Sequence, residues 1–136
     1  VEEAQAVHFL EHLTNFGGKW ERVHFFNELY RVLRPGGKAL ILVPHWASNR
    51  FYGDPTHAEP ISEVAWYYLS REWRLKEAPH TDIKWSRNGY DCDFAVTWGY
   101  NLHGELVTRN QEYQQHALKF WKESAQDMIS TIEARK

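Results

Sequence analysis

Four residues, Arg34-Pro35-Gly36-Gly37, constrain the fold of this chain more than any others. They separate two segments of different period. Before them, Trp20, Val23, Phe26, Leu29, Tyr30 and Leu33 recur at steps of three and four, which puts their side chains on one helix face. After them, Lys38 to Val43 is a continuous apolar run that reads as a strand buried on both faces. Proline cannot continue the helix, and glycine permits a left-handed exit from it. Helix, tight turn and buried strand in immediate succession form one half of a βαβ unit, which places the chain in the α/β class.

The remaining segments are read around that unit. Val1 to His8 is short, and its pattern suits strand or helix; a strand over Ala4–Val7 completes the parallel pair. Asn15-Phe16-Gly17-Gly18 is a turn cluster. Asn49 to Pro60 holds two prolines, a glycine and an aspartate, and reads as a loop. A helix over Ser62–Leu69 would have Ser62 as its N-cap and Val64, Ala65, Tyr68 and Leu69 inward. Ala78 to Asn88 looks irregular. Phe94–Leu102 alternates as a strand does, Glu112–Ser124 carries a helical stripe (Tyr113, Ala117, Phe120, Trp121), and Met128–Ala134 is β-branched enough to close the sheet.

Composition sets outer limits. A length of 136 residues suits one domain, residues 1–136, with a modest core. Aromatic content is high, with 7 Trp, 7 Tyr and 7 Phe, so there is ample apolar surface to offset the entropy of ordering. With Lys+Arg 16 against Asp+Glu 18, no excess of positive charge is available for nucleic acid. A single cysteine, Cys92, excludes an internal disulfide and fits a reducing compartment. The longest apolar run, Ala39 to Val43, is far too short to cross a membrane, and the acidic start Val1-Glu2-Glu3 is unlike a signal peptide. The expectation is a soluble, cytoplasmic domain.

Candidate chemistry lies where strands end. Ligands of open α/β sheets bind beyond the carboxyl ends of the strands. If Ala4–Val7 and Lys38–Val43 are parallel neighbours, His8, Glu11, His12, His45 and Trp46 share one edge, and the loop Asp54-Pro55-Thr56-His57 follows from it. Imidazoles move protons near neutral pH, and the rings of Trp46, Phe51 and Tyr52 could wall off water. His8, His12, His45, Asp54 and His57 are therefore the catalytic candidates. His8-Phe9-Leu10-Glu11-His12 also matches the His-x-x-Glu-His signature of the inverzincin metalloproteases, in which two imidazoles hold zinc and the glutamate is the base. That signature needs a long helix and a further acidic ligand, whereas this segment straddles a strand end, so no metal is expected. Gly36-Gly37 follow a helix and precede a strand, the wrong order for a phosphate loop. Cys92 reads as a buried or neutral thiol, and Lys119, Lys122, Glu123 and Arg135 as a solvated face.

Phe9-Leu10-Glu11-His12-Leu13, together with Glu28-Leu29-Tyr30-Arg31-Val32-Leu33-Arg34-Pro35-Gly36-Gly37-Lys38 running into Ala39-Leu40-Ile41-Leu42-Val43-Pro44, resembles the class I S-adenosylmethionine-dependent methyltransferases. In that family the first stretch ends the fourth strand, and the second is the helix, turn and fifth strand. The Gly53-Asp54-Pro55-Thr56-His57 loop and the strand after Asp93 resemble continuations in one branch. The resemblance implies an incomplete Rossmann-like α/β fold: a mixed sheet of about four strands with flanking helices, the last two strands antiparallel partners at one edge. It implies S-adenosylmethionine as cofactor, with contacts from Val7, His8 and Phe9, and a small-molecule acceptor bordered by Trp46, Phe51 and Tyr52. The family's glycine-rich turn and acidic anchor have no counterpart here, so the sequence resembles the C-terminal, substrate-side half of such an enzyme, unable to bind the cofactor well alone. A fragment, a truncated gene product and a half that pairs with another chain are the three origins that fit. The apolar Ala6-Val7 edge predicts a homodimer or a missing N-terminal half. The competing classes are a non-catalytic binding or assembly module that dimerises through that edge, and a zinc hydrolase using His8, Glu11 and His12.

Overall fold

The computed structural model describes residues 1–81 and 89–136. Four strands, β1 (Glu3–Val7), β2 (Lys38–Pro44), β3 (Phe94–Leu102) and β4 (Ala125–Ala134), form one mixed sheet in the order β1-β2-β4-β3. β1 and β2 are parallel, with Val7 opposite Leu42, so their carboxyl ends coincide. β4 runs antiparallel to both β2 and β3, as expected for a closing strand, and inserts between them. The helices are α1 (Glu21–Val32), α2 (Asn49–Tyr52), α3 (Glu63–Tyr67), α4 (Arg71–Glu77) and α5 (Gln111–Phe120).

The core lies on one side of the sheet. Ala6, Ile41, Phe94 and Ile132 from the four strands meet Phe26, Leu29 and Leu33 of the α1 segment and Trp66 and Leu69 of the α3 segment. The rings contact edge-on, Phe26 with Trp66 at 6.4 Å and Tyr30 with Phe94 at 5.3 Å between centroids. This geometry favours aromatic pairs beyond the area they bury. The expectation that β2 is buried on both faces is not met. Ala39, Ile41 and Val43 are buried, but Lys38 and Leu40 on the opposite face are exposed. The cause is that the core helices all pack on the face that carries Ile41.

The turn behaves as read. Gly36 adopts φ +75°, and the Gly36 N–H donates to Ala134 O at 2.9 Å, which ties the turn to β4. Other boundaries shift for local reasons. Trp20 stands outside α1 as its left-handed N-cap residue, φ 54°. Residues read as loop contain α2, whose N-cap Ser48 accepts from Arg50 N–H. Ser62 occupies the N-cap position of α3 without a side-chain cap bond. Trp66 and Leu69, not Val64, point inward. α4 was not anticipated. The predicted helix to Ser124 stops at Phe120, because the Ser124 hydroxyl donates to Ala117 O at 2.7 Å and Trp121 O at 2.9 Å, and Glu123 turns with φ 63°. That releases β4 to begin at Ala125 rather than Met128. The part of the irregular reading that covers 82–88 lies outside the described residues. No helix among the described residues is long and apolar enough to cross a membrane.

Candidate functional site

The site begins where β1 stops. His8 takes a left-handed backbone, φ 50°, while its N–H still donates to Leu42 O at 2.9 Å. This bends the chain out of the sheet into a single 3-10 turn, Leu10–His12. The turn directs Leu10 and Glu11 into the protein and leaves His12 at the surface. Val7 and Phe9 are exposed on either side of His8, and the Phe9 ring leans on Phe25 at 5.7 Å.

The loop after α2 folds over this turn. The Asp54 carboxylate accepts from Thr56 N–H at 2.8 Å and from the Thr56 hydroxyl at 2.7 Å, an Asx turn that holds its carboxyl below the usual range. Ala58 N–H donates to Glu11 O at 2.7 Å and pins the loop to the 3-10 turn. The result is a cluster. His57 Nε2 lies 3.5 Å from Asp54 and 3.9 Å from Glu11, His8 Nδ1 lies 3.5 Å from the same Glu11 oxygen, and the His12 and His57 rings are 4.9 Å apart. His57 Nδ1 donates to Phe51 O at 2.6 Å, and His12 Nδ1 donates to Thr56 O at 3.1 Å. Backbone carbonyls only accept, so these bonds leave Nε2 of both rings as the nitrogen free for other chemistry.

His45 stands apart from this group. It shares the carboxyl edge, but its side chain is buried, and its bonds are to other residues. Nδ1 accepts Ala47 N–H at 3.2 Å and Nε2 donates to Glu63 at 2.8 Å, so both nitrogens are engaged. Glu63 also accepts from Trp46 Nε1 at 2.9 Å and Tyr100 OH at 3.2 Å. Burial alone would raise the Glu63 carboxyl, but the bond from His45, its own backbone N–H and the bond from Trp46 outweigh it and hold it down to about 2. Of the three aromatic walls, Trp46 and Tyr52 line a cleft of about 300 Å³ closed by Leu118 and Trp121 around the end of α5. Phe51 does not line it; it is buried and packs against His57 in a tilted pair, with ring centroids 5.2 Å apart.

Sequence reasoning missed the supports of the cluster. Arg22, on α1 and buried, donates to Leu10 O at 3.1 Å, to Pro60 O at 3.3 Å and to Glu59 O. Glu59 accepts from Asn15 N–H at 2.7 Å and from the Thr14 hydroxyl. These bonds fasten the 3-10 turn, the loop and α1 into one unit. Arg22 sits beside Val23 on a face read as apolar, and nothing in its spacing marks it as a buried clamp.

No protein-family model matches the chain, and no curated protein matches it in sequence. Among solved structures, the chain is similar to the crystal structure of a SAM dependent methyltransferase from Archaeoglobus fulgidus, at TM-score 0.57 and 16% identity. The fold is methyltransferase-like. The likeness covers 98% of this chain but only 59% of that one, so the chain spans less than two thirds of the length of the enzyme it resembles.

Proposed function

We propose that this chain is the acceptor-side part of an S-adenosylmethionine-dependent methyltransferase. The observation that carries the reading is the sheet: β1 and β2 parallel, β4 reversed between β2 and β3, and a cluster of polar side chains gathered where β1 and β2 end. Open α/β sheets bind ligands at that edge. In this reading the cofactor lies against Val7, His8 and Phe9, which are exposed at the end of β1. The acceptor enters the cleft bordered by Trp46, Tyr52 and α5. Methyl transfer from a sulfonium to an acceptor heteroatom leaves a proton to be removed. In this reading His8, solvent-accessible at the end of β1 and 3.5 Å from Glu11, takes that proton.

None of the glycines forms a turn directly after a parallel strand, so the adenosyl-binding segment comes from elsewhere. β1 pairs with β2 alone among the described strands, and its other edge can accept a further strand from a longer chain or from a partner. The same free edge supports a second reading, an assembly module that dimerises there. Backbone NMR of the labelled chain, titrated with S-adenosylhomocysteine to millimolar concentration, separates the two. Shifts centred on Val7, His8 and Phe9 are expected. No shift, together with a dimer in sedimentation that protects β1 amides from exchange, would overturn the methyltransferase reading in favour of the assembly module.

A further inference from the structure

Glu11 has a side chain only 2% exposed, and neither of its carboxylate oxygens has a hydrogen-bond partner among the described residues. A buried carboxylate without partners is strongly disfavoured, and such groups in folded proteins are paired or hold a metal. The nearest cationic or ionisable groups come within ion-pair range but make no hydrogen bond to it. His8 and His57 stop at 3.5 and 3.9 Å, and the donors of Arg22 are directed to the carbonyls of Leu10, Glu59 and Pro60.

The surroundings are those of a ligand set. One donor atom from each of Glu11, His12 and His57 lies within 4.8 Å of the other two. Each histidine donates its Nδ1 proton to a backbone carbonyl, Phe51 O or Thr56 O, which fixes the tautomer that leaves Nε2 with a lone pair. Metal-binding histidines are oriented by such bonds. In a tetrahedral site, donors about 2.0–2.2 Å from a metal sit roughly 3.4 Å from each other, so closure by about an ångström of side-chain rotation completes the geometry. The Ala58–Glu11 backbone bond and the Arg22 clamp hold the two ligand-bearing segments in register. Asp54, 3.5 Å from His57 and half-exposed, borders the open side.

We infer that Glu11, His12 and His57 form a binding site for a divalent transition metal of the zinc class, with a fourth position open to solvent beside Asp54. Two imidazoles and one carboxylate with an open position suit Zn²⁺ or Co²⁺ rather than Mg²⁺ or Ca²⁺, which favour all-oxygen shells. The set differs from the His8, Glu11 and His12 set of the sequence signature, because His57 arrives from a loop more than forty residues away. The inference does not depend on the methyltransferase reading.

The test is titration of the chelator-treated chain with Zn²⁺ by calorimetry and with Co²⁺ by visible absorption, whose intensity reports four-coordinate nitrogen and oxygen ligation. One equivalent is expected to bind at micromolar strength or tighter. H12A and H57A are each expected to weaken binding by more than about a hundredfold, beyond the 10–100-fold cost of losing a group that only orients a ligand. H8A would abolish binding if the ligands were the sequence-signature set, and is expected to keep it. H24A, at an exposed histidine on α1, controls for adventitious surface binding. E11Q is expected to lose the metal response while the metal-free chain becomes more heat-stable than metal-free wild type, since an uncharged amide replaces a buried carboxylate that no donor hydrogen-bonds. His12 is exposed, so H12A decides the matter even if a buried variant fails to fold. Absence of binding by wild type, or affinity unchanged in H12A, would overturn the inference.

Discussion

Replacing Glu63 with glutamine tests whether the His45 network holds the carboxyl edge of β2 in place. The Glu63 carboxylate accepts from His45, Trp46 and Tyr100 at 2.8, 2.9 and 3.2 Å. An amide can accept through one atom only, and its NH₂ would face a second donor. The depression of the carboxyl from 4.5 to about 2 corresponds to at most about 3.5 kcal/mol, at roughly 1.4 kcal/mol per unit. The side chain is 27% exposed, and solvent screening reduces the figure to about 2 kcal/mol. Hydrogen bonds to a charged group give the same order independently. The sign follows from linkage. A carboxyl with a lowered native pKa stabilises the fold while ionised; that stability is complete above the unfolded value of 4.5 and disappears as pH falls towards about 2. Urea unfolding of wild type and Glu63→Gln across pH is the assay. The variant is expected to be about 2 kcal/mol less stable at neutral pH, with the gap closing through that acidic window. A gap that stays constant down to acid, or no gap at neutral pH, would refute the reasoning.

Three further outcomes are expected. Gly37→Ala puts a methyl 2.9 Å from Arg34 O and 3.2 Å from Glu2 O, both backbone, whereas Gly36→Ala meets open space and incurs only the strain of φ +75°. Thermal unfolding should therefore show Gly37→Ala losing more than the about 1 kcal/mol expected of Gly36→Ala, and the reverse order would contradict it. Trp66→Ala removes a ring that is 2% exposed and donates to Met128 Sδ at 3.3 Å; denaturant unfolding should register a loss of about 3–5 kcal/mol. Burial pushes the Cys92 thiol up to about 12, so in the native chain a thiol reagent at mild alkaline pH should react only at the rate of opening, and at once in denaturant. Rapid stoichiometric labelling of the native chain would contradict the burial.

Local chemistry made the framework legible. The apolar stripe of α1, the Arg34-Pro35-Gly36-Gly37 turn and the run that follows are each decided by residues next to one another, and the resulting helix, turn and strand lie close to where their spacing puts them. The parallel pairing of β1 with β2 then follows, and with it the shared edge that carries His8 and His45. Short helices were less legible. α2 and α4 are too brief to show a period, and the end of α5 depends on a hydroxyl, Ser124, whose partners are only defined once the chain folds back.

The candidate site divides along the same line. The sequence by itself determined which side chains could do chemistry and that two strand ends would present them, because residue type and short-range period are local properties. Only the tertiary structure decided which of them meet. His57 reaches Glu11 because Ala58 pairs with the Glu11 carbonyl and Arg22 holds both backbones from α1. His45, on the same edge, is instead satisfied by Glu63 and Ala47. Such pairings form between residues far apart in the chain, where the gain of a buried hydrogen bond offsets the entropy of closing a long loop, and no local pattern records that balance.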